Sequence, residues 1–185
     1  MKKRVFLIHG WEGNPQNHWF PWLKGELEKR GFEVLSLKMP NPNYPVVSEW
    51  ISKISDEVGM PDEQTYFVGH SLGSISIIRY LETLQKGSKV GGAVFVAGFI
   101  NKINAPEIDK FSSLPLDIGK VKNTTNNFVC IFSDNDEYIS LKVSNEFAKS
   151  LGAKAILEKG KGHFCSGDGV SQLPSVLQSL IEMSS

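Results

Sequence analysis

The 185-residue chain is short of the features that mark secreted, metal-binding and nucleic-acid-binding proteins. It has two cysteines, Cys130 in an apolar run and Cys165 in a glycine-rich loop, which form neither a disulfide framework nor a zinc-ligand spacing. Reduced thiols fit a cytoplasmic protein. Neither charge dominates, with 20 basic and 20 acidic residues, so no electrostatic footprint for nucleic acid or an anionic membrane is expected. There is no long apolar run. The basic start Met1-Lys2-Lys3-Arg4 leads into a short stretch that ends at His9-Gly10, too short for a signal peptide or a membrane span. No Gly-x-x-x-x-Gly-Lys loop occurs, no Gly-x-Gly-x-x-Gly follows the first strand, and no helix pairs histidines at metal spacing, so neither a cofactor nor a metal is expected. What remains is a single domain over 1–185, long enough to bury a core without staples.

Short apolar runs alternate with amphipathic stretches along the whole chain. Val5-Phe6-Leu7-Ile8 reads as a strand buried on both faces. Trp19, Trp22, Leu23 and Leu27 lie on one helical stripe between Trp19 and Arg30, and Gly31 ends that helix. Glu33–Leu37 is a second strand, and the Met39–Pro45 stretch is a proline-rich extended loop. Val47, Trp50, Ile51, Ile54 and Val58 mark a second helix that stops near Gly59. Thr65–Val68 is a third strand, and a helix from Ser71 to about Gln85 follows it. Ala93–Val96, Phe128–Phe132 and Ala155–Leu157 read as further strands, with helices around Leu141–Leu151 and after Pro174. Such alternation predicts a parallel, doubly wound α/β sheet. The polar stretch 100–127 is too long for an ordinary connection; a short helix near Asp117–Lys122 is the only element predicted there. It leaves the C-terminal end of the fourth strand and is therefore a candidate wall or flap over a site, with a plain surface excursion as the alternative.

Gly69-His70-Ser71-Leu72-Gly73 stands between the third strand and its helix, the setting in which Gly-x-Ser-x-Gly forms a nucleophile elbow. The bland alternative is a tight turn whose serine caps the helix. A serine hydroxyl needs a base to take its proton and an acid to orient that base. With an elbow of this kind the acid and then the histidine follow on later loops. Of the four histidines, His163 alone lies beyond both the elbow and the acidic loop Ser133-Asp134-Asn135-Asp136-Glu137-Tyr138. Asp134, Asp136 and Glu137 are the candidate acids; Asp136 is chosen because Ile139 can anchor its loop, whereas Asp134, the alternative acid, sits close to the strand where it can cap the turn. Two backbone N–H groups complete the expectation of an oxyanion hole, that of Leu72 and that of Trp11 behind the first strand. Cys165, two residues from His163, reads as a site-lining or structural thiol. Trp11, Trp19, Tyr44, Trp50, Phe99, Tyr138 and Phe164 are candidates for an apolar acyl pocket, with core packing the first reading for each.

Val5–Gly10, Asn17-His18-Trp19-Phe20-Pro21-Trp22-Leu23, Met39-Pro40-Asn41-Pro42, Gly69–Gly73 and Gly162-His163-Phe164 through Leu173-Pro174 together resemble the YdeN-like α/β-hydrolases, a compact family with a retinoblastoma-binding serine hydrolase among its members. The resemblance runs nearly end to end. It implies a minimal α/β-hydrolase fold of about six mostly parallel strands flanked by helices, without a large cap domain. It also implies a Ser-Asp-His triad mapping onto Ser71, Asp136 and His163, although Ser140 stands where the family has proline. The expected activity is that of a cofactor-independent serine hydrolase acting on a small-molecule ester or amide. The alternative expectation is a protein-binding module on a hydrolase fold with weak or vestigial activity, its partner unspecified.

Overall fold

The computed structural model describes residues 2–103 and 105–185; Met1, in the basic start, and Asn104, in the 100–127 stretch, lie outside the described residues. In chain order the regular elements are β1 (Arg4–Ile8), α1 (Phe20–Glu28), β2 (Glu33–Leu37), α2 (Val47–Val58), β3 (Thr65–His70), α3 (Leu72–Thr83), β4 (Gly92–Val96), α4 (Asp109–Ser113), α5 (Ile118–Lys122), β5 (Phe128–Ser133), α6 (Leu141–Leu151), β6 (Lys154–Glu158) and α7 (Pro174–Met183). The strands form one six-stranded sheet in the order β2-β1-β3-β4-β5-β6, every neighbouring pair parallel. The expected sheet is present without a large cap.

Alternation of side chains along each strand divides the interior into two layers. Phe6 and Ile8 of β1 join Trp50 and Ile54 of α2, Ile75 and Ile78 of α3 and Phe147 of α6 on one face. Val5 and Leu7 point the other way, to Leu23 and Leu27 of α1 and to Val176 and Leu180 of α7. Each such fully buried side chain contributes ~1.5–3 kcal/mol of transfer free energy, so the two layers together hold the sheet rigid. The chain leaves β1 for the edge strand β2 and then crosses back to β3 on the opposite side of β1. That reversal opens a crevice at the C-terminal ends of β1 and β3.

Most differences from the sequence expectation are at element ends. β3 runs past Val68 to His70, because Gly69 and His70 still pair with Phe95 and Val96 of β4. α1 stops at Glu28, its last turn tightened by the Arg30 N–H donating to Leu27 O at 2.9 Å. α3 stops at Thr83 because Leu84 is already extended, with ψ 145°. In the 100–127 stretch the predicted helix is α5; the unpredicted elements are a 3-10 turn at Pro106–Ile108 and α4. Arg79 of α3 holds this stretch from behind. Its guanidinium donates to Phe111 O at 3.0 Å, Pro115 O at 2.6 Å and Leu114 O at 2.5 Å, and it pairs with Glu82 at 3.2 Å. A second carboxylate oxygen of Glu82 accepts the Asp117 N–H at 2.7 Å.

Candidate active site

Ser71 occupies the single residue between β3 and α3, with φ 52° and ψ −117°. A non-glycine residue in such a conformation costs ~1–3 kcal/mol, a strain that persists when its surroundings over-determine it. Here the Ser71 N–H donates to Val96 O of β4 at 2.9 Å, and Ser74 Oγ donates back to Gly69 O at 2.9 Å. The flanking glycines are sterically required: a Cβ on Gly69 would come within 2.6 Å of the Ser74 backbone, and one on Gly73 would overlap the Ile8 carbonyl. The Ser71 side chain makes no capping bond to α3, which removes the alternative of a helix-capping serine.

The loops after β5 and β6 are clasped together by side chains of the first. Asp136 Oδ2 accepts from His163 Nδ1–H at 2.8 Å, while its Oδ1 accepts the N–H groups of Tyr138 at 2.8 Å and Ile139 at 3.0 Å. The Asp136 side chain is 2% exposed, and Ile139 is buried beneath the loop. Asp134 takes a different part, accepting the Gly160 N–H at 2.7 Å. Ser133 Oγ accepts from Lys161 N–H at 2.9 Å, and Asn135 Oδ1 accepts from Gly162 N–H at 2.8 Å. On the far side, Asp168 Oδ2 accepts from the N–H groups of His163 at 3.0 Å and Cys165 at 2.9 Å. The imidazole of His163 is thereby fixed in position and orientation, with Nδ1–H spent on Asp136 and Nε2 left as an acceptor.

Ser71 and His163 line one cavity of about 530 Å³, but no hydrogen bond joins their side chains. Nucleophile–base contacts in ligand-free sites are often long and tighten when substrate binds. Gly10 and Trp11 border the same cavity, and a Cβ on Gly10 would stand 3.3 Å from Ser71 Cβ, so the loop after β1 lies directly against the elbow. Among the described residues the N–H groups of Trp11 and Leu72 meet no acceptor. Another part of the lining comes from the 100–127 stretch, through Ile103, Ala105, Pro106, Glu107 and Ile108. Of the aromatic candidates, Trp11 and Tyr138 line the cavity, Trp19, Trp50, Phe99 and Phe164 are core, and Tyr44 is 82% exposed.

All four histidines of the chain line this cavity, where the sequence singled out one. His70 donates its Nε2–H to His163 O at 2.8 Å, and burial, followed by the neighbouring His163, holds its pKa well below 6.5. His18 Nδ1 accepts the Ser166 N–H at 2.9 Å; burial and then His163 lower its pKa, with Asp168 opposing. The available signal for His70 was its place inside the elbow motif, one residue before the serine. Despite the four imidazoles, among the described residues no three His, Cys, Asp or Glu side chains converge to hold a metal ion. Cys165 lines the cavity too, its thiol pKa pushed up to about 11 by burial and then by Asp168 and Asp136, which keeps it from being a thiolate at neutral pH.

Residues 5–182 match the model of the serine hydrolase family. YdeN of Bacillus subtilis is 34% identical over 177 residues, covering 95% of this chain and 93% of that protein. The crystal structure of the same B. subtilis gene product superposes with a TM-score of 0.95 at 33% identity over 98% of both chains. The rat serine hydrolase RBBP9 is 29% identical over 166 residues, 88% of this chain and 87% of its own.

Proposed function

The chain belongs to the serine hydrolase family and has the α/β-hydrolase fold, and from that premise we propose that it cleaves a small-molecule ester or amide through an acyl-enzyme on Ser71. Ser71 Oγ attacks the substrate carbonyl carbon as His163 Nε2 takes its proton, and Asp136 stabilises the resulting imidazolium. The carbonyl oxygen becomes an oxyanion that receives hydrogen bonds from the N–H groups of Leu72 and Trp11. Collapse of this intermediate breaks the bond to the leaving alcohol or amine, which departs with the proton from His163. A water, deprotonated by His163, then hydrolyses the acyl-enzyme to the free acid and regenerates Ser71. The observation that carries the reading is a strained Ser71 facing the same cavity as His163, whose Nδ1–H is bound by the buried Asp136 at 2.8 Å.

The aliphatic wall of the cavity favours an apolar acyl group of modest size. Among the described residues no helix is long and apolar enough to cross a membrane. Both cysteines are free, which suits the reducing interior of a cell, so the proposed setting is cytoplasmic. Labelling by a fluorophosphonate probe tests the mechanism: the wild-type chain is labelled, and Ser71→Ala and His163→Ala are not. Undiminished labelling of Ser71→Ala would move the nucleophile elsewhere.

A further inference from the structure

Two stretches that carry the family resemblance, the end of β1 with His9 and the proline loop after β2, meet beside the site, and His9 has no part in the mechanism above. His9 is 3% exposed and makes two hydrogen bonds with its ring. Nδ1 lies 2.8 Å from Gly10 O, and Nε2 lies 3.2 Å from the Met39 N–H. A carbonyl can only accept and a backbone N–H can only donate, so the two contacts together allow one protonation state: Nδ1 carries the hydrogen and Nε2 is a bare acceptor. Burial lowers the pKa of His9, consistent with a ring that stays neutral.

The bond to Gly10 O matters because of what lies across that peptide. No cis peptide bond occurs among the described residues, and in a planar trans peptide the carbonyl and the following N–H point in opposite directions. With Gly10 O held by His9, and by the Gly13 N–H at 3.2 Å, the Trp11 N–H is turned away from the loop's own polar groups and is left without an acceptor. The opposite flip would leave the His9 donor unpaired in a buried site, at a cost of ~1–3 kcal/mol. His9 is in turn held by Met39. The same loop accepts the Glu12 N–H at Pro42 O, 3.0 Å away, and Trp11 Nε1–H at Asn43 O, 3.1 Å away, while Trp50 Nε1–H braces Pro40 O at 2.8 Å.

We propose that His9 is a positioning residue, locked by Met39 in its Nδ1–H tautomer, that sets the Gly10–Trp11 peptide with its N–H ready for the oxyanion before substrate arrives. The proposal rests on the mechanism above, in which Trp11 supplies one oxyanion donor. Losing one such donor costs 10²–10³-fold in kcat, and loosening it costs part of that. His9→Phe keeps the ring volume and removes both hydrogen bonds, so kcat for an ester falls by about 10- to 100-fold while KM changes by less than about threefold. In His9→Asn the side-chain amide stands near the former Nδ1 and restores the donor to Gly10 O, recovering most of the loss. Binding of a trifluoromethyl ketone, which forms a tetrahedral adduct on the serine, weakens in step with kcat in His9→Phe. Long-range 1H–15N NMR of the wild-type protein reads the His9 tautomer without any substitution, and the result expected is a protonated Nδ1 and an unprotonated Nε2. Wild-type kcat in His9→Phe, or the opposite tautomer in the wild-type protein, overturns the proposal. Activity retained in Ser71→Ala would instead overturn the underlying mechanism.

Discussion

On the side of the cavity built by the loops after β5 and β6, every backbone N–H from Gly160 to Ser166 is bound by a named acceptor. Another part of the lining, Ile103, Ala105, Pro106 and Ile108, is aliphatic apart from the neighbouring Glu107, and the segment that follows it is anchored through Arg79. In the proposed mechanism the first side carries the imidazole whose placement to a fraction of an ångström decides proton transfer, and directional hydrogen bonds supply that accuracy. On the same reading the second meets the substrate through non-directional apolar contact, which tolerates small shifts. The proposed mechanism thus assigns chemistry and selectivity to different kinds of force.

That contrast is open to disruption from either side. The largest effect is expected on the polar side. Asp136→Asn keeps the shape but cannot accept the Nδ1–H in the same way, so kcat should fall by about 10³–10⁴-fold with KM little changed. Steady-state kinetics on a p-nitrophenyl ester reads this, and a loss under tenfold would mean that Asp134 or another group orients His163. On the apolar side, Arg79→Met leaves the carbonyls of Phe111, Leu114 and Pro115 without their donor, an expected loss of ~2–4 kcal/mol of stability. Thermal unfolding should fall by roughly 4–16 °C on that basis, with KM for apolar esters raised and kcat nearly unchanged. An unaltered KM would show that the wall does not touch the acyl group.

The smallest effect concerns the neutral histidines beneath the polar side. His70 has a folded-state pKa well below its unfolded value of 6.5, so above pH 6.5 neither state takes up a proton and this residue adds no pH dependence. As pH falls below 6.5 the unfolded chain binds a proton that the folded one refuses, and stability declines until the folded pKa is reached. The slope is up to ~1.4 kcal/mol per pH unit for this one group. His9 and His18, lowered in the same direction, steepen the decline. Urea unfolding between pH 7.5 and 5.5 should show it, and His70→Gln, which cannot titrate, should flatten the curve by about one proton's worth. An unchanged slope in that variant would mean that His70 is protonated in the folded protein.

Much of the site was legible in one dimension because its parts are local patterns. The elbow is five consecutive residues between a strand and a helix, and the glycines at its ends are demanded by contacts that any such turn makes. Local pattern likewise gave the bounds of β2 and placed α2 with its end beside Gly59. Choosing between Asp134 and Asp136 was harder, since both lie on one short loop and differ in which partner each faces: Gly160 N–H for one, His163 Nδ1–H for the other. The hydrogen-bond partners of His9 and His70 left no local trace. His9 meets Met39 across 30 residues, and His70 meets the His163 carbonyl across 93.

The order of elements, the elbow and the identity of its serine were written in the chain, because strand and helix periods and the steric needs of a tight turn act between near neighbours. Folding alone set which carboxylate reaches His163, which tautomer His9 adopts and where the 100–127 stretch lies against the crevice. Those depend on hydrogen bonds and apolar contacts between residues far apart in sequence, and such contacts exist once the sheet has brought the strand ends to a common rim.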